Sequence, residues 1–123
     1  MGNPTAAMLV IGDEILSGRT RDANMYYLAG QLTAYGIDLT EVRVVSDVHD
    51  AIVAATKTLS SQYDHVFTSG GIGPTHDDIT AACVAKAFGA ELVYHPDIVA
   101  IIERRPAAPE VMASRMLMAR VPA

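Results

Sequence analysis

Val66-Phe67-Thr68-Ser69-Gly70-Gly71-Ile72-Gly73-Pro74-Thr75-His76-Asp77-Asp78-Ile79-Thr80 decides how the chain is read. An apolar run leads into three glycines, a proline and two adjacent acids, and an apolar segment of helical character follows. That order predicts a strand, a backbone-lined loop and a helix N-terminus. Such loops hold phosphates, because free amides and the positive end of a helix dipole converge on one spot. Two neighbouring acids beside a phosphate require a cation between them, which points to Mg²⁺ or another divalent metal. The competing reading is a tight structural turn. Thr75 and Asp78 match a capping box, and acids in a first helical turn complement the dipole. Three glycines in four positions nevertheless demand some close backbone approach. The loop lacks the Gly-Lys-Ser/Thr of a Walker A motif and the third glycine of the dinucleotide fingerprint.

Outward from the loop, the chain alternates in period. Ala6 to Ile11 is an uninterrupted apolar run, as expected of a strand buried on both faces of a parallel sheet, and Gly12 ends it. Met25, Leu28, Ala29, Leu32 and Tyr35 recur at helical spacing, with Asp22 as the expected N-cap and Gly36 as the stop. Leu39 to Val45 reads as a less buried strand. A second helix, with Asp50 as its expected cap, places Ile52, Ala55, Thr56 and Leu59 inward. His65 to Ser69 is the third strand, and Ile79 to Phe88 the third helix, stopped by Gly89. A short strand at Glu91–Tyr94, a helix opened by Pro96 and a last helix over Glu110–Met118 complete the chain. This alternation predicts an α/β fold, a three-layer α/β/α sandwich with a mostly parallel sheet, in a single domain spanning residues 1–123. Ligands of such sheets bind outside the carboxyl ends of the strands. Asp13 and Glu14, then Asp47, then Gly70 to Asp78 all fall there.

Composition limits the partners. The chain has 123 residues, half of them apolar, enough for one core. A net charge of −5, with Arg19/Arg21 and Arg104/Arg105 as the only basic pairs, argues against nucleic acid. No apolar run suits a membrane span and none resembles a signal peptide, so a cytoplasmic setting is expected. The single cysteine, Cys83, lies among small apolar residues and reads as a buried thiol. Asp13 and Glu14 are either solvated turn acids or contacts to a metal or ribose. Asn24 is either an ordinary surface residue or a ligand contact, and His76 and Arg19 are weak candidates of the same kind.

Gly12-Asp13-Glu14-Ile15-Leu16-Ser17-Gly18, then Asp22 and Asn24, then Thr68 to Thr80 together resemble the molybdopterin-binding domain family. Within it, the chain is most similar to the N-terminal domain of competence/damage-inducible protein A and its stand-alone bacterial relatives. The resemblance implies a pterin or nucleotide-pyrophosphate site at the glycine loop. Gly70, Gly71, Gly73, Thr75, Thr80, Gly12, Asp13, Glu14, Asp47 and Asn24 would then bind the cofactor, a molybdopterin-type pterin. Asp78 and Asp77 would be the catalytic and metal-binding pair. Asp78 matches the important acid of the adenylyltransferase branch, whereas Asp77 departs from that branch. Two activities follow as alternatives: pterin binding in or near molybdenum cofactor biosynthesis, or metal-dependent hydrolysis of ADP-ribose- or FAD-like pyrophosphates. A non-catalytic scaffold is the third reading. The resemblance also implies a homo-oligomer, dimer or trimer, with the methionine-rich tail as the candidate interface. Family domains continue past a segment like Arg120-Val121-Pro122, so the chain is expected to be short at its C-terminus.

Overall fold

A computed structural model describes residues 2–123. Strand β1 (Thr5–Ile11) is almost wholly buried, which its unbroken apolar sequence requires. A four-residue helix, α1 (Asp13–Leu16), follows directly, and α2 (Asn24–Ala34) leads to β2 (Asp38–Val45). Helix α3 (His49–Gln62), β3 (His65–Ser69) and α4 (Thr80–Phe88) complete the central unit. The three strands are parallel in the order β2-β1-β3. The chain therefore steps from β1 to one side, then crosses back to the other. Right-handed crossovers put α2 and α3 on opposite faces of the sheet. Helix packing agrees: α3 lies against α4, whereas α2 lies against β2. The result is the expected α/β/α arrangement.

Ala7, Leu9 and Ile11 of β1 pack with Ile52, Ala55 and Leu59 of α3 and Cys83 of α4 in one apolar cluster. All four positions expected to face inward on α3 are buried, including Thr56, whose hydroxyl donates to the Ile52 carbonyl (2.7 Å). Cys83 is fully buried, and that burial, with the Asp50 charge, pushes its thiol pKa up. The other face is thinner. Of the residues expected inward on α2, only Leu32 is buried; Met25 and Tyr35 are exposed. The period is helical as predicted, but α2 packs mainly against β2 alone.

Local signals were met unevenly. Asp22 accepts the Asn24 and Met25 amides (3.3 and 3.2 Å), as a cap should. Asp50 does not cap α3; it sits within the first turn, and Val48 in extended conformation begins the helix without a side-chain cap. The fourth strand is not part of the main sheet. β4 (Leu92–Tyr94) pairs antiparallel with β5 (Arg120–Pro122), forming a separate ribbon. Between them lie α5 (Pro96–Glu103), capped by His95 Nδ1, and α6 (Pro109–Met116), which ends two residues earlier than expected in a 3₁₀ turn. Among the described residues, no helix is long and apolar enough to cross a membrane.

Candidate functional site

The carboxyl ends of β1, β2 and β3 form one edge, and the loops leaving them lock to one another. The Gly12 amide donates to the Val45 carbonyl (3.0 Å). The Asp13 carboxylate accepts the Ser46 hydroxyl and the Asp47 amide, and the Asp47 carboxylate accepts the Asp13 amide (3.1 Å). These two acids thus clamp the ends of β1 and β2 reciprocally. The Ser46 hydroxyl, and after it the Asp47 amide, hold the Asp13 carboxyl below its ordinary pKa. Neither Ser46 nor its role carried a sequence signal, since a serine after a strand is unremarkable.

The glycine loop owes its shape to the chain itself. Gly70 and Gly71 take φ of 96° and 65°, a region that disfavours side chains. A Cβ on Gly70 would lie 2.0 Å from the Ile11 carbonyl oxygen, and one on Gly71 2.2 Å from the Thr80 hydroxyl oxygen. A Cβ on Gly73 would meet the Asp78 carboxylate at 2.7 Å. The close approach that three glycines demand is therefore made within the protein. Thr80, buried at the start of α4, donates its hydroxyl to the Gly70 carbonyl (2.7 Å) and its amide to the Gly71 carbonyl (3.1 Å). It fixes the loop from beneath and does not face solvent.

Asp77 and Asp78 diverge. The Asp78 carboxylate turns back into the loop and accepts the Thr75 amide (3.0 Å) and hydroxyl (2.8 Å). This is half of the expected capping box, but it closes a turn within the loop, because α4 starts only at Thr80. Burial pushes the Asp78 carboxyl up; the Thr75 amide and hydroxyl and the Gly73 amide outweigh it, and the pKa lies below the ordinary value. Asp77 is exposed, with its Oδ1 3.3 Å from His76 Nε2.

Three clefts meet at this edge. The first, about 290 Å³, lies between Val10, Ile11, Asn24, Ser69 and Gly70, with Thr20, Arg21 and Asp22 at its rim. Asn24 donates its side-chain amide to the Ser69 hydroxyl (2.9 Å), which joins the start of α2 to the end of β3. It lies where the strand order reverses, between β1 and β3, the position at which open α/β sheets bind ligands. The second, about 440 Å³, gathers Asp13, Glu14, Asp47, Asp77, Arg19 and His76. The third, about 260 Å³, runs past Gly71, Gly73 and Asp78 to Met118 and Arg120. Arg120 arrives through the β4–β5 ribbon, a long-range pairing with no local motif. The expected residues thus converge on one edge, but across separate clefts. Among the described residues, no group of three or more His, Cys, Asp or Glu is placed to hold a metal ion.

Known proteins share this fold. Residues 7–122 match the family described as a probable molybdopterin binding domain. The chain belongs to that family. A structure of the protein CinA, of unknown function, from Thermoplasma acidophilum superposes with a TM-score of 0.85 at 33% identity, covering 98% of this chain and 71% of that one. A CinA-like protein of Myxococcus xanthus is 37% identical over 117 residues, 94% of this chain but 28% of that protein. A probable FAD synthase of Caenorhabditis briggsae is 44% identical over 100 residues, 81% of this chain and 19% of that protein. The molybdopterin biosynthesis enzyme MoaB of Thermus thermophilus, at 13% identity and a TM-score of 0.63, shares the fold. The chain spans less than half the length of the curated relatives named here.

Proposed function

We propose that this molybdopterin-binding family domain binds a phosphorylated pterin of the molybdopterin type, or a nucleotide of similar chemistry, at the loop after β3. One observation carries the reading: Gly70 and Gly71, held by Ile11 and Thr80, present main chain at the point where the strand order reverses. Among the described residues, the Ile72, His76 and Asp77 amides donate to nothing within the chain, so they are free for an anion. Asn24 and Ser69 line the adjoining cleft and offer a neutral polar wall for a ring or ribose. A phosphorylated ligand fits this donor set. Asp78 positions the loop through Thr75 and does not act on the ligand directly.

A second reading, hydrolysis of an ADP-ribose- or FAD-like pyrophosphate, is favoured by the acidic cleft that holds Asp13, Glu14, Asp47 and Asp77 beside Arg19 and His76. The relatives described as FAD synthases are in keeping with a nucleotide ligand. A metal shared by Asp77 and Asp78 does not fit this arrangement, because the two carboxylates open on different clefts. In that reading Asp77, freely exposed, orients the attacking water. Calorimetric titration with a phosphorylated pterin, ADP-ribose and FAD, with and without Mn²⁺, tests both readings, with AMP release followed in parallel. Binding that perturbs the Gly70–Asp77 amides without AMP supports the first reading, and AMP release supports the second. Absence of binding by all three ligands refutes both and leaves the scaffold role.

A further inference from the structure

An anion on the α4 side of the glycine loop meets the charge of Asp78. That carboxylate borders the third cleft, and it is ionised at neutral pH, since its pKa lies below the ordinary value. A phosphate placed beside it needs a compensating cation. A divalent metal shared by Asp77 and Asp78 would serve, but the two carboxylates open on different clefts. The chain itself brings a cation to the third cleft, the guanidinium of Arg120.

The setting of Arg120 differs from that of every other arginine. Arg19, Arg21, Arg104 and Arg105 are exposed, Arg43 is paired with Glu41, and Arg115 donates to the Arg105 carbonyl (2.9 Å). Arg120 is partly buried and forms no ion pair among the described residues. Of its donors only Nε has a partner, the Leu117 carbonyl, at a long 3.5 Å. Its main chain is held firmly. Arg120 pairs with Tyr94 in the β4–β5 ribbon, and Ala119 before it is fully buried and accepts the His95 amide (2.8 Å). Three further residues of this cleft carry amides without an acceptor among the described residues: Ile72 of the loop, and Ala81 and Ala82 in the first turn of α4. The positive end of α4 thus adds to the charge of the guanidinium.

We propose that the third cleft is a phosphate site, in which the Arg120 guanidinium, the Ile72 amide and the first turn of α4 hold one phosphate of a phosphoester or pyrophosphate. Arg120 takes the place of a metal ion there and offsets Asp78. This rests on the reading of the glycine loop as a phosphate-binding loop, and it adds the residue that makes binding independent of metal. The planar fork of an arginine meets two phosphate oxygens at once, which a lysine cannot do. The small side chains of Ala81 and Ala82 leave the space in front of it, about 260 Å³, open. Consecutive residues, Gly70 and Gly71, border the first cleft and the third, so the neutral wall of Asn24 and Ser69 and the phosphate site adjoin across the loop.

Two titrations of the intact chain test the site: calorimetry with ADP-ribose and with a phosphorylated pterin, in EDTA and again with Mn²⁺, and NMR with inorganic phosphate. The expected results are ligand binding in EDTA with an affinity that Mn²⁺ leaves unchanged, and phosphate-induced shifts of the Ile72, Ala81 and Ala82 amides and of the Arg120 Nε–H signal. Arg120→Gln should weaken ligand binding about tenfold or more, and Arg120→Lys should recover part of it. Ala82→Leu fills the cleft with Arg120 in place and should weaken binding as well, which reads the site apart from any effect of Arg120 on folding. Thermal melts show whether each variant is folded. Ligand binding that a folded Arg120→Gln or Ala82→Leu variant leaves intact, or that disappears in EDTA, overturns the phosphate site while the loop reading stands. Phosphate that moves these signals when neither larger ligand binds supports the site and refutes the ligand reading. Absence of any binding to the parent chain overturns both.

Discussion

Replacing Gly70 with alanine separates two reasons for a glycine, because the fold supplies a matched control. Gly36, after α2, has φ of 75°, and a Cβ there would meet nothing within 4 Å. Gly36→Ala therefore costs only the backbone conformation, about 1 to 2 kcal/mol. Gly70 carries the same kind of penalty at φ of 96°, and its Cβ would also sit 2.0 Å from the Ile11 carbonyl oxygen. That oxygen belongs to the central strand, fixed between two neighbours, so relief requires the loop to move by more than an ångström. Forced overpacking of this kind adds about 1 to 3 kcal/mol. Gly70→Ala should thus lose about 2 to 5 kcal/mol in total, a large share of the 5 to 15 kcal/mol typical of a domain. Urea unfolding of both variants, read as a change in midpoint at constant m, measures the difference. Equal midpoints for Gly70→Ala and Gly36→Ala would show that Ile11 does not confine the loop, and the account of its shape would fail.

The divergent acids should separate in the same way. Asp78→Asn weakens the bonds from Thr75 and Gly73 and should lower stability by about 1 to 2 kcal/mol, while Asp77→Asn should leave the thermal midpoint unchanged; equal losses would contradict the placement of these carboxylates. Acid titration of stability has a definite sign. Asp13, Glu41, Asp64 and Asp78 all have folded pKa values below their ordinary ones, through Ser46, Arg43, the Thr5 amide and, against burial, Thr75 respectively. Their contribution is complete above the unfolded carboxyl pKa and disappears as pH falls through the folded values. Stability should be level near neutrality with respect to these groups and decline below about pH 4. A steeper loss for the parent than for a Thr75→Val variant in that range would confirm the share that passes through Asp78, and parallel curves would remove it.

The central unit was legible because each of its signals is local. The apolar run of β1, the helical period of α3 and the glycine stop after α4 depend on neighbours a few residues away. The sheet edge on which the candidate residues gather followed from the same alternation. What escaped was set at long range. The ribbon of β4 and β5 joins segments separated by two helices, so Arg120 could not be placed beside Gly71 from sequence. Asp13 and Asp47 were visible as candidates, but their reciprocal clamp depends on the β1–β2 register. The orientation of Asp77 against Asp78 turns on one hydrogen-bonded turn at Thr75, which the capping-box pattern located and assigned to the wrong element. On α2 the helical period aligns Met25, Leu28, Ala29, Leu32 and Tyr35, but period reports which residues share a face and not which of them a neighbour covers, and only Leu32 is buried.

The same ribbon sets an order of assembly. The glycine loop is shaped by contacts with Ile11 and Thr80, both inside the compact β1–β3–α4 unit, while the wall that faces it needs Tyr94 to find Arg120. Pairing across so long an intervening segment costs more loop-closure entropy and tends to form late. During folding the cradle should therefore exist before the cleft beside it closes. Over that interval Gly71 and Gly73 stand open to water on the side where Arg120 will later lie, and the chain passes through a state with a finished glycine loop and an unfinished cleft beside it.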